Sequence, residues 1–187
     1  ASIQIILSIF LKPPLLWGLF YYRTSWLLVC YYSMSSVIQV QGLTKKFGHQ
    51  FTAVSDLSFS VNKGDVYGFL GQNGAGKSTT IRMLLSLITP TSGSIEIFGM
   101  PLQANRAAIM QNVGAVIEKP AMYEYLTAYQ NLKIFSALSG VSKTRLQLLH
   151  ELDVVGLAAR AHDLVRTFSQ GMKQRLAIAM AMVNDPQ

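Results

Sequence analysis

The chain has 187 residues, enough for one substantial hydrophobic core and an appendage. It carries a formal net charge of +7, yet no run of Lys or Arg exceeds two residues, so we expect no nucleic-acid partner. Its single cysteine, Cys30, excludes an internal disulfide framework and fits a reducing compartment, and its three histidines are too scattered to form a metal cluster.

Residues 1–35 differ from the rest of the chain, being almost entirely apolar or aromatic and without an acidic residue. The apolar stretch 15–32 is close to the length of a membrane-spanning helix, but Arg23 lies near its middle, where a charge is costly. Three interpretations stay open: a membrane-contacting segment, the end of a preceding hydrophobic domain, or non-native sequence before a start at Met34. We favour the last, because the chain opens on Ala and ordinary sequence begins just after Met34.

From residue 36 onward, short strands alternate with turns. Alternation of apolar and polar residues predicts strands at 37–41 and 57–61, followed by turn residues at 62–65. The apolar run at 66–70 predicts a buried strand. This last strand would lead directly into a glycine-rich segment.

That segment, GQNGAGKST at residues 71–79, fits G-x-x-x-x-G-K-[ST], the loop that binds nucleotide phosphates. A predicted strand before it and a predicted helix after it, ending near Leu87, favour this interpretation over a chance glycine-rich turn. Its glycines allow backbone N–H groups to converge on phosphate oxygens at a helix N-terminus. The predicted nucleotide-binding residues are Gly71, Asn73, Gly74, Ala75, Gly76, Lys77, Ser78 and Thr79.

Three of these residues have distinct predicted roles. Lys77 is expected to reach the β- and γ-phosphates, and is therefore also a catalytic candidate. The Ser78 hydroxyl is expected to bind Mg²⁺, and Thr79 is expected to donate near the α-phosphate. The predicted cofactors are thus ATP and Mg²⁺.

Downstream, strands are predicted at 94–98 and 113–117, with a short helix at 103–111 between them. After Pro120 the pattern becomes helical. Helices are predicted to begin after Thr127, Ser142 and Ser169, and the first two to end at Gly140 and Gly156. Together these elements indicate an α/β nucleotide-binding fold with subdomains.

The segment FSQGMKQRL at residues 168–176 resembles the signature sequence of ABC-transporter ATPase subunits, usually LSGGQ followed by x-Q-R. Four residues match that pattern: Ser169, Gly171, Gln174 and Arg175. Three residues depart from it: Phe168, Gln170 and Met172. With the phosphate loop upstream, the resemblance covers residues 36–187, all but the hydrophobic start.

The resemblance implies a P-loop NTPase core with an antiparallel β subdomain and an α-helical subdomain at about residues 120–170. It also implies two subunits packed head to tail, with ATP between them. Residues Ser169, Gln170 and Gly171 would contact the γ-phosphate held by the opposite subunit. Phe47 would stack on the adenine. Glu118 takes the position of a Gln that touches Mg²⁺ and the attacking water, which makes it a metal-binding and catalytic candidate.

A narrower resemblance is to the subunits of bacterial bacitracin-resistance and lantibiotic-immunity exporters. It is carried by Glu118-Lys119-Pro120, by residues 126–132 and by the Met-Lys-Gln-Arg form of the signature. It implies export of peptide antibiotics or other hydrophobic compounds through a separate membrane permease. The subunit would lie peripherally on the cytoplasmic face of the membrane, with the loop 118–126 facing the permease.

The chain stops at Asn184-Asp185-Pro186-Gln187, where the family continues into a strand that ends in Asp-Glu. That strand carries the carboxylates that order Mg²⁺ and polarise water, so we expect this chain to be C-terminally incomplete and deficient in hydrolysis. Two alternatives to the exporter ATPase stay open. One is an ABC ATPase that acts outside transport, and the other is a truncated cassette that only binds nucleotide.

Overall fold

A computed structural model describes residues 36–48, 51–117 and 122–186. The predictions for residues 1–35 and for Glu118 lie outside this part of the chain. Within it, the elements in chain order are strands β1 (Ser36–Phe47) and β2 (Phe51–Asn62), helix α1 (Lys77–Leu84), strands β3 (Ser92–Ile97) and β4 (Met100–Pro101), and helices α2 (Arg106–Met110), α3 (Ala128–Leu138), α4 (Arg145–Val154) and α5 (Gln170–Met182). Two short 3-10 turns, Ala158–Arg160 and Val165–Thr167, lie between α4 and α5.

The alternating segments form an antiparallel sheet with the strand order β2-β1-β3-β4. In the centre of β1, Val40 pairs with Phe59 of β2 on one side and with Ile95 of β3 on the other. This confirms the strands predicted at 37–41, 57–61 and 94–98. The buried face of the sheet packs against α1 and α2 and forms the first hydrophobic core, whose largest fully buried members are Val40, Leu43, Met83 and Ile109.

Two predicted strands are wrong, because residues 66–70 and 113–117 are not in strands. Val66 is 79% exposed and Leu70 is 87% exposed, whereas a buried strand would cover both. An apolar run becomes a strand only when neighbouring strands pair with it, and no described strand lies beside either segment. Residues 66–70 are instead held by aromatic contacts, with the Phe59 ring 5.2 Å from that of Tyr67 and 5.3 Å from that of Phe69.

Helices α3, α4 and α5 pack together and form the second hydrophobic core. Its fully buried members include Leu132, Leu148, Leu152 and Leu176. This arrangement agrees with the predicted α-helical part of the chain. Helix α5 begins after Ser169 as predicted, and Met182 is its last residue.

The start of α4 differs from the prediction. Its N-cap is Thr144, not Ser142, because Thr144 and Gln147 form a capping box in which each side chain accepts a hydrogen bond from the other's backbone N–H. Leu148 is buried in the second core, while Leu146 is exposed. Thr127 and Gln130 form the same type of capping box at the start of α3, as predicted.

Two other helices are shorter than predicted. Helix α1 ends at Leu84 rather than near Leu87, and the positive φ of 54° at Ser86 turns the chain out of the helical path. Helix α2 spans only Arg106–Met110 of the predicted 103–111. Among the described residues, none of the helices combines the length and apolar character needed to span a bilayer.

Candidate nucleotide-binding site

The glycine-rich segment forms a tight turn between residues 66–70 and helix α1. Gly74 and Gly76 have positive φ angles of 87° and 86°, a region that favours glycine. A Cβ atom at Gly76 would also lie 2.4 Å from the Ala53 carbonyl oxygen and 3.0 Å from Val54 Cγ2. The turn therefore packs directly against β2, and Gly76 is required for both its backbone angle and its close approach.

Lys77 is the first residue of α1, and its ammonium group lies across the same turn. Lys77 Nζ donates hydrogen bonds to the carbonyl oxygens of Gly71, at 2.8 Å, and Gln72, at 2.7 Å. These contacts hold the positive charge of Lys77 across the loop that the motif predicts to bind phosphates.

The N-terminus of α1 suits an anion. Gly76 is the N-cap, so no side chain accepts a hydrogen bond from the first turn, which also contains no acidic residue. The N–H groups of a helix's first turn have no partner within the helix, and the helix dipole favours negative charge beside them. Ser78 and Thr79 lie half-buried in this turn. The segment 71–79 thus brings its predicted residues together in a way that can bind phosphate.

The predicted adenine-stacking residue, Phe47, is the last residue of β1. It is directly opposite Phe51 of β2, and the two rings are stacked with their centroids 6.4 Å apart. Lys45 Nζ lies 5.1 Å from the centroid of the Phe47 ring and donates a hydrogen bond to the Thr89 carbonyl oxygen at 2.7 Å. Sequence reasoning did not predict that Phe51 lies beside Phe47. The spacing of four residues between these two aromatic residues, which would lie opposite each other in a hairpin, could have indicated this pairing.

The predicted signature residues lie at the start of α5. The Ser169 side chain caps the helix, since its Oγ accepts a hydrogen bond from the Met172 N–H at 3.3 Å. Ser169, Gln170 and Gly171 are exposed, and a Cβ atom at Gly171 would meet no other atom within 4 Å. Helix α5 belongs to the second core, whereas α1 belongs to the first, so the two predicted phosphate contacts come from different parts of the fold.

The described segment at residues 122–127 is linked to the start of α5. The buried Asn131 holds Tyr123 by two hydrogen bonds, accepting from its N–H at 2.8 Å and donating to its carbonyl oxygen at 3.0 Å. Glu124 accepts from Lys173 Nζ at 2.5 Å through its side chain and from the Arg166 N–H at 2.9 Å through its carbonyl oxygen. Residues 122–127 therefore contact both α3 and the signature helix, a link that sequence reasoning did not predict.

A second ionic contact joins α4 to the turn after α5. Lys143 Nζ lies 2.7 Å from Glu151 Oε1 and 3.1 Å from Asp185 Oδ1. Burial by itself lowers the pKa of Lys143, but the hydrogen bonds and charges of Glu151 and Asp185 outweigh it, so the pKa lies above its ordinary value. Glu151 is therefore occupied in a structural ion pair.

The described residues offer no ready-made metal cluster. Across 36–48, 51–117 and 122–186, no three His, Cys, Asp or Glu side chains come close enough together to hold a metal ion. The Ser78 hydroxyl, on the first turn of α1, is of the oxygen type that Mg²⁺ prefers, and a phosphate loop binds Mg²⁺ together with phosphate oxygens rather than in an all-protein cage. The residues present fit this mode of metal binding.

Comparison with known proteins gives consistent matches. The family described as ABC transporter matches residues 54–187. The bacitracin transport ATP-binding protein of Bacillus licheniformis is 47% identical over 154 residues, which are 82% of this chain and 50% of that protein. The lantibiotic transport ATP-binding protein of Streptococcus pyogenes is 37% identical over 151 residues, which are 81% of this chain and 63% of that protein.

A solved structure described as the ATP-binding subunit of an ABC transporter superposes with a TM-score of 0.69 at 29% identity, covering 81% of this chain and 63% of that one. The α/β fold predicted from the sequence is therefore also that of a known ATP-binding subunit. The chain spans about half the length of the bacitracin transport protein that it matches.

Proposed function

The chain belongs to the ABC transporter ATP-binding family, and from this premise we propose that it supplies the ATP-binding site of a subunit that hydrolyses ATP to drive a membrane exporter. The observation that carries the proposal is the turn at residues 71–79. There, Gly76 packs against β2, Lys77 lies across the loop, and α1 begins without a side-chain cap. Such a turn is built to receive the phosphates of a nucleotide.

In the proposed complex, the backbone N–H groups of residues 73–79 and the Lys77 ammonium bind the phosphates. Ser78 and Glu118 bind Mg²⁺, which when bound supplies charge neutralisation at the β- and γ-phosphates. Phe47 contacts the base, since it is exposed at the end of β1 on the hairpin that also contacts the phosphate loop. Lys77 and Glu118 are the catalytic candidates.

We propose further that the site is completed by a second ATP-binding subunit, packed head to tail. The support is the exposed start of α5, where Ser169, Gln170 and Gly171 lie on a helix N-terminus with free space beside Gly171. Because α1 and α5 belong to different cores, the phosphate loop of one copy would meet the signature residues of the other.

The proposed substrates are peptide antibiotics or other hydrophobic compounds, carried by a separate permease. The support is the similarity to bacitracin and lantibiotic transport ATP-binding proteins. The loop 118–126 would face this permease at the cytoplasmic side of the membrane, to which the subunit would bind peripherally. The support is the ion pair between Glu124 and Lys173, which joins this loop to the signature helix α5.

Lys77→Ala tests the nucleotide site. Loss of a charge-assisted contact to the phosphates should weaken Mg-ATP binding by at least about tenfold in isothermal titration calorimetry. Lys133→Ala, which removes an exposed lysine from α3, is the matched control and should bind as the parent chain does. Equal affinities for the parent and Lys77→Ala would overturn the assignment of the loop.

A further inference from the structure

Two exposed aromatic rings lie side by side at the end of the β1–β2 hairpin. Phe47 and Phe51, here called the aromatic pair, occupy directly opposite positions in the strand register. Their ring planes are inclined by only 27°. Phe47 is 46% exposed and Phe51 is 60% exposed, so neither ring gains much from burial within this chain.

The aromatic pair lies close to the phosphate loop along the same strand. Phe51 is two residues from Ala53, whose carbonyl oxygen is the atom nearest to a Cβ placed on Gly76. At about 3.3 Å per residue, this puts Phe51 about 7 Å along the strand from the contact with the loop. A base held on the aromatic pair would therefore lie about two strand residues from the point where β2 contacts the loop.

Phe47 already contacts a second side chain, that of Lys45. Lys45 Nζ lies 5.1 Å from the centroid of its ring, a distance at which a cation is attracted to an aromatic ring. Lys45 is fixed there by its hydrogen bond to Thr89. Phe51 is therefore the more accessible ring of the aromatic pair.

We propose that Phe51 is a second base-binding residue, so that the planar base of a nucleoside triphosphate contacts both rings of the aromatic pair. This inference rests on the proposed function, because it requires a nucleotide in the loop at 71–79. The contact uses the π face that every base presents, and therefore contributes affinity for the base without reading its hydrogen-bonding edge.

The test compares ATP with inorganic tripolyphosphate, which has the same phosphates and no base, in titrations of the full chain. The parent should bind ATP more tightly than tripolyphosphate. Phe51→Leu should weaken ATP binding by about fivefold and leave tripolyphosphate binding unchanged, since stacking on a base is lost and the phosphate contacts remain. Phe51→Tyr keeps a flat ring and should bind both as the parent does. Leu146→Ala, which removes an exposed apolar side chain from α4, is the control for nonspecific loss.

The outcomes separate this inference from the proposed function. Unchanged ATP affinity in Phe51→Leu overturns the base contact while leaving the phosphate loop intact. An equal loss for both ligands shows that Phe51 supports the hairpin rather than the base, and also overturns it. If the parent binds neither ligand, the proposed function fails and this inference fails with it.

Discussion

Gly76 meets two requirements at once, and each excludes other residue types. Its φ of 86° lies in the left-handed region, and its Cα lies so close to β2 that an added Cβ would be 2.4 Å from the Ala53 carbonyl oxygen. The motif at 71–79 predicts a glycine at this position. It does not predict the contact with Ala53, because that contact joins two elements that only the tertiary fold brings together.

Gly76→Ala should therefore lower the free energy of unfolding by about 2–4 kcal/mol, combining backbone strain with a clash against backbone atoms that cannot rotate away. Gly64→Ala is the matched control, since Gly64 has a φ of 88° but no atom within 4 Å of the added Cβ. It should cost only about 1 kcal/mol. Urea unfolding of both variants measures the difference, and equal losses would show that the contact with β2 contributes nothing.

The helices show how far local sequence determines an element. Thr127 with Gln130 and Thr144 with Gln147 each form a capping box that is visible in the sequence, so the starts of α3 and α4 are set within four residues. Ser142 was the wrong choice for α4 because the residue three positions after it is Arg145, which cannot accept a hydrogen bond from the backbone N–H. Local rules of this kind predict most of the helical part.

The failed strands show the opposite case. Residues 66–70 and 113–117 have strand-like apolar runs, but a strand requires hydrogen bonds to a neighbouring strand, which is often far away in the chain. Val37–Gln41 succeeds because β2 and β3 pair with it on both sides. The apolar pattern therefore indicated candidate strands, and the pairing with neighbouring strands decided which of these segments form strands.

The ion pair that joins α4 to the turn after α5 can be tested by Lys143→Met. The change leaves Glu151 nearly buried without its partner, and should lower the free energy of unfolding by about 3 kcal/mol. The control is Arg160→Met, which breaks the exposed pair with Asp163 and should cost less than about 1 kcal/mol. Thermal or urea unfolding measures both changes.

The pH dependence of this difference follows from the pKa of Lys143. Because that pKa is higher in the folded chain than its ordinary value of 10.5, the contribution of Lys143 is fully present below 10.5. It declines only as the pH rises through the raised, folded-state pKa. The advantage of the parent over Lys143→Met should thus stay constant from pH 6 to 9, and a loss within that range would contradict the assigned ion pair.

In the whole molecule, the two helices that carry the predicted phosphate-binding residues belong to different hydrophobic cores. The first core holds the sheet and α1, which follows the loop at 71–79, while the second holds α3, α4 and the signature helix α5. The two motifs could be found in the sequence because each is short and continuous. The separation of the two motifs in the fold could not be predicted from these local patterns, since it depends on which helices pack together. This separation supports the proposal that a second subunit completes the site.

Gly171→Glu tests that arrangement without disturbing the subunit itself. Gly171 lies in the first turn of α5 with open space around it, so the new side chain should leave the unfolding transition and the ATP affinity of a single subunit unchanged. In the head-to-tail pair, however, its carboxylate would face the γ-phosphate bound by the other copy, and like charges in contact cost several kcal/mol. Dimer formation with a non-hydrolysable ATP analogue, followed by sedimentation, should weaken by at least about tenfold. Gly171→Ala adds no charge and should dimerise as the parent does, whereas a Gly171→Glu chain that still dimerised would place the signature residues away from the nucleotide.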